Sequence, residues 1–290
     1  MDTKPADLKA LIQLLEDDDA AIFELVSDKI RTLGKSIIPD LEDAWSKSFH
    51  PILQQRIEEL IHEIHINNLV DELKLWSVLQ QHDIIAGALI VAKHQYPDLN
   101  ETDVYATLNK LKRSIWLELN EDLTSLEKVN VMNQVLFDTY LFKGNTGNYH
   151  APANSYLHLV LENKKGNPLL LSVIYMYLAQ QLDMPVYGVN LPEHFVLAYM
   201  DESDILKEAI NDHETKALFY INPFSRGNIF NRNEIDDFLG KLKMPVQPAY
   251  YEPCSNLDII KRMIRNLIFS YHKSGNTEKV AELEKMLACL

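Results

Sequence analysis

His194 is the residue whose type and position are best suited to chemistry, because an imidazole titrates near neutral pH and can accept or donate a proton. It follows a turn at Leu191-Pro192-Glu193 and opens a strand predicted over residues 194–200. The neighbouring carboxylate of Glu193 suits an acid or an anchor for a cationic ligand, or simply a surface turn. If His194 does no chemistry, it is a hydrogen-bonded structural or ligand-contacting residue.

A helix with a well-defined start is predicted before the strands that carry this histidine. Gly166 ends the preceding helix, Asn167 can accept from the first free backbone N–H groups, and Pro168 suits the first helical position. Residues 169–182 are apolar on nearly every face, which predicts a helix buried on all sides. A strand at 186–190 follows it, so the helix is expected to be the central element of its domain.

Several short motifs along this part of the chain occur together in one known family. They are Asn154-Ser155-Tyr156-Leu157, Gly166-Asn167-Pro168, Leu178-Ala179-Gln180-Gln181-Leu182-Asp183-Met184-Pro185, residues 188–195 and Ile221-Asn222-Pro223-Phe224. In this order the motifs resemble the transglutaminase-like superfamily, and within it the bacterial SirB-type family, from about residue 137 to residue 242. The resemblance implies a cysteine-protease-like core with a small antiparallel sheet.

The superfamily's chemistry, acyl transfer or amide hydrolysis by a Cys-His-Asp set, maps incompletely onto this chain. The resemblance places Pro168 at the position of the nucleophilic cysteine, His194 at that of the base and Asn222 at that of the orienting acid. Proline cannot attack an acyl group, and asparagine can hold an imidazole but supplies no negative charge. The resemblance therefore implies the fold and puts catalysis in doubt.

Other side chains offer alternative nucleophiles or metal ligands. Ser172 lies one helical turn beyond Pro168, although a buried serine usually bonds to a backbone carbonyl instead. Cys254 would reach His194 only through long-range folding. His62 and His65 share a helix face, but their spacing differs from that of zinc proteases and favours solvated residues. We therefore predict no metal site and no cofactor.

Loops near the predicted core supply further polar groups that could line a pocket. These are Tyr149, Asn154, Tyr156 and Asn190, together with Asn167, Ser172 and Glu193. Asn154 could equally cap a helix beginning near Ser155. The glycine-rich segment 143–149 lacks a phosphate-loop motif and is expected to be a turn.

Composition limits the classes of partner. The chain has 290 residues, of which 47% are hydrophobic, and its net charge is −14. Nucleic acids and anionic membranes attract basic surfaces, so neither is an expected partner. The chain lacks a signal-peptide pattern at its start and an apolar run long enough to cross a membrane. With two cysteines that lack metal spacing, these features predict a cytoplasmic protein.

The periodicity of apolar residues predicts an α+β fold that is mostly helical, in three parts. Residues 1–97 are expected to form a HEAT-like helical region or an irregular helical subdomain that packs on the core. Residues 98–245 are expected to form the transglutaminase-like core, and residues 246–290 a tetratricopeptide-like helical hairpin that docks on the core. A third strand is predicted over residues 215–222. The oligomeric state is left open.

These features favour a non-catalytic module that binds a peptide or protein ligand, with His194 and Asn222 in a vestigial cleft. The alternative is a hydrolase or acyltransferase that uses an atypical nucleophile with His194 as base. A scaffold for oligomerisation is a third possibility, and it predicts side chains packed tightly where the cleft would be.

Overall fold

The computed structural model describes residues 5–201 and 216–290. Contacts along the chain divide it into two compact units, Met1–Lys74 and Leu75–Leu290. Residues 75–97, which the sequence interpretation grouped with the helical region, lie in the second unit. The fold class is confirmed: the chain is α+β and mostly helical, with a small antiparallel sheet.

The first unit is built from helices α1 (Pro5–Gln13), α2 (Ala20–Thr32), α3 (Ile38–Lys47) and the first part of α4 (Pro51–Leu79). Leucine, isoleucine and valine at three- and four-residue spacing form its core, which includes Leu15, Ile30, Leu41, Ile57 and Leu60. Asp19 caps α2 by accepting from the Ala21 N–H at 2.8 Å.

The helices that follow α4 belong to the second unit. They are α5 (Ile84–Lys93), α6 (Glu101–Trp116), α7 (Ser125–Asn133), α8 (Leu157–Asn163), α9 (Pro168–Gln180), α10 (Arg232–Lys241), α11 (Asn256–Lys273) and α12 (Thr277–Ala288). Every residue of α9 from Pro168 to Met176 is buried, as are Leu178 and Ala179. Helices α5, α6, α8 and α11 pack around α9, so the prediction of a helix buried on all sides is confirmed.

The sheet contains β3 (Val186–Leu191), β4 (His194–Met200), β5 (Ala217–Asn222) and β6 (Asn228–Phe230), all antiparallel and in chain order. Val196 and Ala198 of β4 pack with α10, and α9 packs against β3 and β4. The predicted third strand began at Thr215, which lies outside the described residues. Two-residue strands β1 (Lys143–Gly144) and β2 (Lys165–Gly166) pair in parallel beside α9 and were not predicted.

A π-helical turn at Gln134–Thr139 directly follows α7. Each π turn accommodates an extra residue and re-aims the side chains that follow it. Val135, Leu136 and Phe137 of this turn are buried, so the change of pitch serves core packing.

None of the described helices is long and apolar enough to cross a membrane.

Candidate functional site

The tip of α9 is held by Asn167. Its Oδ1 accepts from the Leu170 N–H at 2.8 Å, and its Nδ2 donates to Ser155 Oγ at 2.8 Å. The next residue, Pro168, occupies the first helical position, where a missing N–H costs nothing. Pro168 is itself buried, so the position that the resemblance assigns to a nucleophile holds an inert ring.

The loop between β1 and α8 is fixed by Asn154. Its Nδ2 donates to the carbonyls of Asn148 and Tyr149, at 2.7 and 3.0 Å, and its Oδ1 accepts from Asn145 at 2.9 Å. Its backbone carbonyl accepts from the Asn167 N–H at 3.3 Å. Asn154 therefore ties the loop that carries Tyr149 to the tip of α9 and does not cap α8, whose first residue is Leu157.

His194 stands at the start of β4, where its side chain hydrogen-bonds to that of Asn222 at the end of β5. A second hydrogen bond orients the Asn222 side chain, because its Oδ1 accepts from the Ser225 N–H at 3.3 Å. Burial is the main cause that lowers the pKa of His194; the bond to Asn222 opposes it and the charge of Arg262 adds to it. The imidazole is therefore mostly neutral at pH 7.

Arg262 of α11 reaches the turn before His194. Its guanidinium donates to the Leu191 carbonyl at 2.7 Å and also to Asn190 Oδ1, and it lies 5.7 Å from the centre of the Phe195 ring. Burial lowers its pKa, while interactions with Tyr149 and Cys254 raise it. Within residues 5–201 and 216–290, no carboxylate forms an ion pair with this guanidinium.

These elements enclose a cavity of about 580 Å³. The loop after β1, the tip of α9, the start of β4 and one face of α11 line it: Tyr149, His150, Ser155, residues 167–169, residues 193–195, Arg262, Asn266, Phe269 and Ser270. Its size suits a small molecule or a short stretch of peptide.

Aromatic rings form the rim of this cavity. The Tyr149 ring lies edge-on to Phe224, with 5.8 Å between centroids, and the His150 ring lies 5.2 Å from that of Phe269. Burial raises the pKa of Tyr149. Phe224 in turn packs against Gly144, where a Cβ atom would come within 2.5 Å of the ring. This close approach explains a glycine in β1.

Most of the site residues predicted from sequence lie in or beside this cavity. Tyr149, Asn167, Pro168, Glu193 and His194 line it, Asn222 and Asn190 hydrogen-bond to lining side chains, and Asn154 anchors its loop. Two others do not line it. The Oγ of Ser172 is fully buried and has no hydrogen-bond partner among the described residues. Tyr156 is buried with its hydroxyl 2.9 Å from that of Tyr271.

The sequence interpretation missed the contribution of α11. Arg262, Asn266 and Ser270 line the cavity, and they border the apolar stripe that buries this helix, which includes Met263 and Leu267. Polar residues beside the buried stripe of a helix expected to dock on the core were the available signal. The spacing of these residues in the sequence does not predict which part of the core they contact.

Cys254 is not among the residues that line the cavity. Its backbone N–H donates to the Gly188 carbonyl at 2.8 Å. Burial, with a smaller contribution from Asp258, raises the pKa of its thiol to about 12. Because the thiolate is the nucleophilic form, this thiol is unreactive at neutral pH.

A small sheet packed on a buried helix, with an imidazole on a strand beside the helix tip, is the arrangement of the transglutaminase-like superfamily, and the chain belongs to that superfamily. The match extends over residues 102–265, which include α9, the sheet, His194 and Arg262. The matched residues thus include most of the cavity lining and the first part of α11, whereas Asn266, Phe269 and Ser270 lie beyond the match.

Relatives from bacteria and from humans match parts of this chain. A UPF0162 protein of Xylella fastidiosa strain 9a5c is 28% identical over 222 residues, 72% of this chain and 74% of that protein. A UPF0162 protein of Vibrio cholerae is 22% identical over 185 residues, 63% of this chain and 64% of its own length. Human F-box only protein 21 is 31% identical over 147 residues, which make up 51% of this chain but 22% of that protein. No solved structure matches the chain.

Proposed function

We propose that this protein is a SirB-type member of the superfamily that binds a peptide or protein segment in the cavity and does not cleave or transfer it. The observation that carries this proposal is the tip of α9, where Pro168 lies between Asn167 and Leu169 in the cavity wall. A cysteine at this position would combine the helix dipole with a neighbouring imidazole, and proline supplies neither a nucleophile nor an N–H.

The other groups near the cavity support binding over catalysis. His194 is held by an amide, not by a carboxylate, so its imidazolium form lacks the partner that would stabilise it during proton transfer. Ser172 is buried away from the cavity and the thiol of Cys254 is protonated at neutral pH. Neither offers the atypical nucleophile that the rival hydrolase or acyltransferase needs.

The cavity itself provides an open, mixed surface. Aromatic rings at the rim and the amide and hydroxyl groups of Asn266 and Ser270 suit a peptide, which presents apolar side chains and backbone hydrogen-bonding groups together. In this proposal the HEAT-like helices of residues 1–97 and the tetratricopeptide-like hairpin of residues 246–290 offer further surfaces to a protein partner.

Two measurements test the proposal on the full chain. First, the protein is incubated with glutamine-containing peptides, amides and primary amines, and the mixtures are analysed by mass spectrometry. We expect no turnover. Turnover that the His194→Ala substitution abolishes would overturn the proposal in favour of an acyl-transfer enzyme.

Second, binding of pooled acetylated pentapeptides is measured by equilibrium dialysis for the wild type and for two tryptophan variants. Asn266→Trp fills the cavity from α11, whereas His272→Trp adds the same ring at an exposed position on the same helix. We expect the first variant to lose peptide binding and the second to keep it. Equal binding by both variants excludes the cavity as the peptide site.

A further inference from the structure

We infer that the ligand of this cavity carries a carboxylate and that this carboxylate pairs with Arg262. The inference rests on the proposed binding function and names the chemical class of the ligand.

The guanidinium of Arg262 has N–H groups that do not donate to any described residue. Its Nη1 donates to the Leu191 carbonyl and to Asn190 Oδ1, and both of these acceptors are neutral. An arginine has five N–H donors in a planar fork, so the Nε and Nη2 hydrogens keep their capacity for an acceptor, with none provided by the described part of the chain. A carboxylate is the group that matches two parallel N–H donors.

The neighbours of Arg262 leave its positive charge uncompensated. His194 is mostly neutral at pH 7, and Tyr149 stays a neutral phenol because burial raises its pKa. Among the described residues, Glu193 is the one carboxylate in the lining, but it is exposed at the rim, where water and salt screen it, and it makes no ion pair with Arg262. A partly buried cation without a counter-charge favours an anionic ligand.

The surroundings favour a carboxylate over a phosphate. Phosphorylated ligands are usually bound by clusters of arginines, and Arg262 is the one arginine that the described part of the chain contributes to the lining. The amide of Asn266, four residues further along α11, offers a further donor on the same wall. Such a carboxylate comes either from the C-terminus of a peptide or from an acidic side chain, and the experiment separates these two sources.

Four pools of acetylated pentapeptides provide the test by equilibrium dialysis. The first pair of pools lacks acidic residues, and one pool ends in a free carboxylate while the other ends in an amide. In the second pair both pools end in an amide, and one contains a glutamate where the other contains a glutamine. We expect one carboxylate-bearing pool to bind about tenfold more tightly than its neutral partner, which is the range of a charge-assisted hydrogen bond. The pool that shows the preference identifies the source of the carboxylate.

Matched variants attribute that preference to one side chain. Arg262→Gln is expected to abolish it, and Arg262→Lys, which keeps the charge but loses the fork, to retain part of it. Arg265→Gln makes the same change of net charge at an exposed position on the same helix and should leave the preference intact. A preference that survives Arg262→Gln, or a wild type that binds neutral and acidic pools equally, overturns the inference.

A second readout keeps the two proposals distinguishable. Acetylglycine and acetylglycinamide are titrated into the wild type while the Arg262 Nε–H signal is followed by NMR. If acetylglycine shifts the Arg262 Nε–H signal and acetylglycinamide does not, the result supports carboxylate binding by Arg262, even where no peptide pool binds and the peptide proposal fails. If peptides bind without a carboxylate preference and acetylglycine causes no specific shift, carboxylate binding by Arg262 is refuted and the proposed function stands.

Discussion

Gly227→Ala is expected to lower the free energy of unfolding by about 3 kcal/mol, because two separate costs meet at this residue. Gly227 has φ of +73°, a left-handed conformation that an alanine adopts at a cost of about 1 kcal/mol. Its Cβ would also lie 1.9 Å from Asn133 Oδ1 and 2.3 Å from Asn133 Cγ, so the Asn133 side chain must move.

Moving Asn133 breaks two hydrogen bonds. Its Nδ2 donates to the Gly227 carbonyl at 2.9 Å, and its Oδ1 accepts from the hydroxyl of buried Tyr175 at 3.2 Å. At about 1 kcal/mol for each bond, the clash adds about 2 kcal/mol to the backbone cost. The Gly227 N–H donates to the Asn222 carbonyl at 2.9 Å, so the substitution should also loosen the residue that holds His194.

Gly275→Ala is the matched control, since Gly275 has φ of +76° and no atom within 4 Å of the added Cβ. It should cost about 1 kcal/mol, the backbone cost alone. Urea unfolding followed by circular dichroism gives both values. In an Asn133→Ala background the clash is absent, so Gly227→Ala should then cost about 1 kcal/mol as well. Equal costs for the two glycines in the wild-type background, or a cost for Gly227→Ala that Asn133→Ala leaves unchanged, would refute the reasoning.

The remaining predictions concern protonation and one buried pair. Arg262→Gln removes a charge that lowers the pKa of His194, so an NMR titration should give a higher pKa for this ring, and an unchanged value contradicts the contact. The pKa of His194 in the folded protein lies below its unfolded value of about 6.5, so the folded state binds fewer protons and the protein loses stability as the pH falls below 6.5. In urea unfolding, the His194→Gln substitution should therefore lower the free energy of unfolding by less at pH 5 than at pH 7. Since burial raises the pKa of the Cys254 thiol to about 12, iodoacetamide at pH 8 should alkylate it at least about 100-fold more slowly in the folded protein than in urea, and similar rates would restore it as a nucleophile candidate. Tyr156→Phe should cost about 1 kcal/mol by removing the bond to Tyr271, and additive costs in the double-phenylalanine variant would argue against that bond.

Local signals in the sequence predicted the elements of the core well. The Asn167-Pro168 start of α9 is seen as an asparagine cap with proline at the first position, and the strand at His194–Met200 has the predicted bounds. These features depend on neighbours a few residues apart, such as a side-chain oxygen and the N–H three residues on. The sequence therefore predicted them without knowledge of tertiary contacts.

Long-range contacts account for what the sequence could not show. Arg262 meets Asn190 and Leu191 across about seventy positions of the chain, and no spacing rule relates them. Asn154 was placed either in a pocket or at a helix start, and the hydrogen bonds of its side chain to Asn145 and to two loop carbonyls had no local signature.

One wall of the cavity comes from α11, so ligand binding is linked to the packing of α11 on α9. A ligand that touches both α11 and the tip of α9 stabilises this packing, and well-packed α11 raises the ligand affinity by the same factor. Weakening the packing of α11 at residues that do not line the cavity, for instance at the Tyr156–Tyr271 pair, should therefore reduce affinity without altering any residue of the lining.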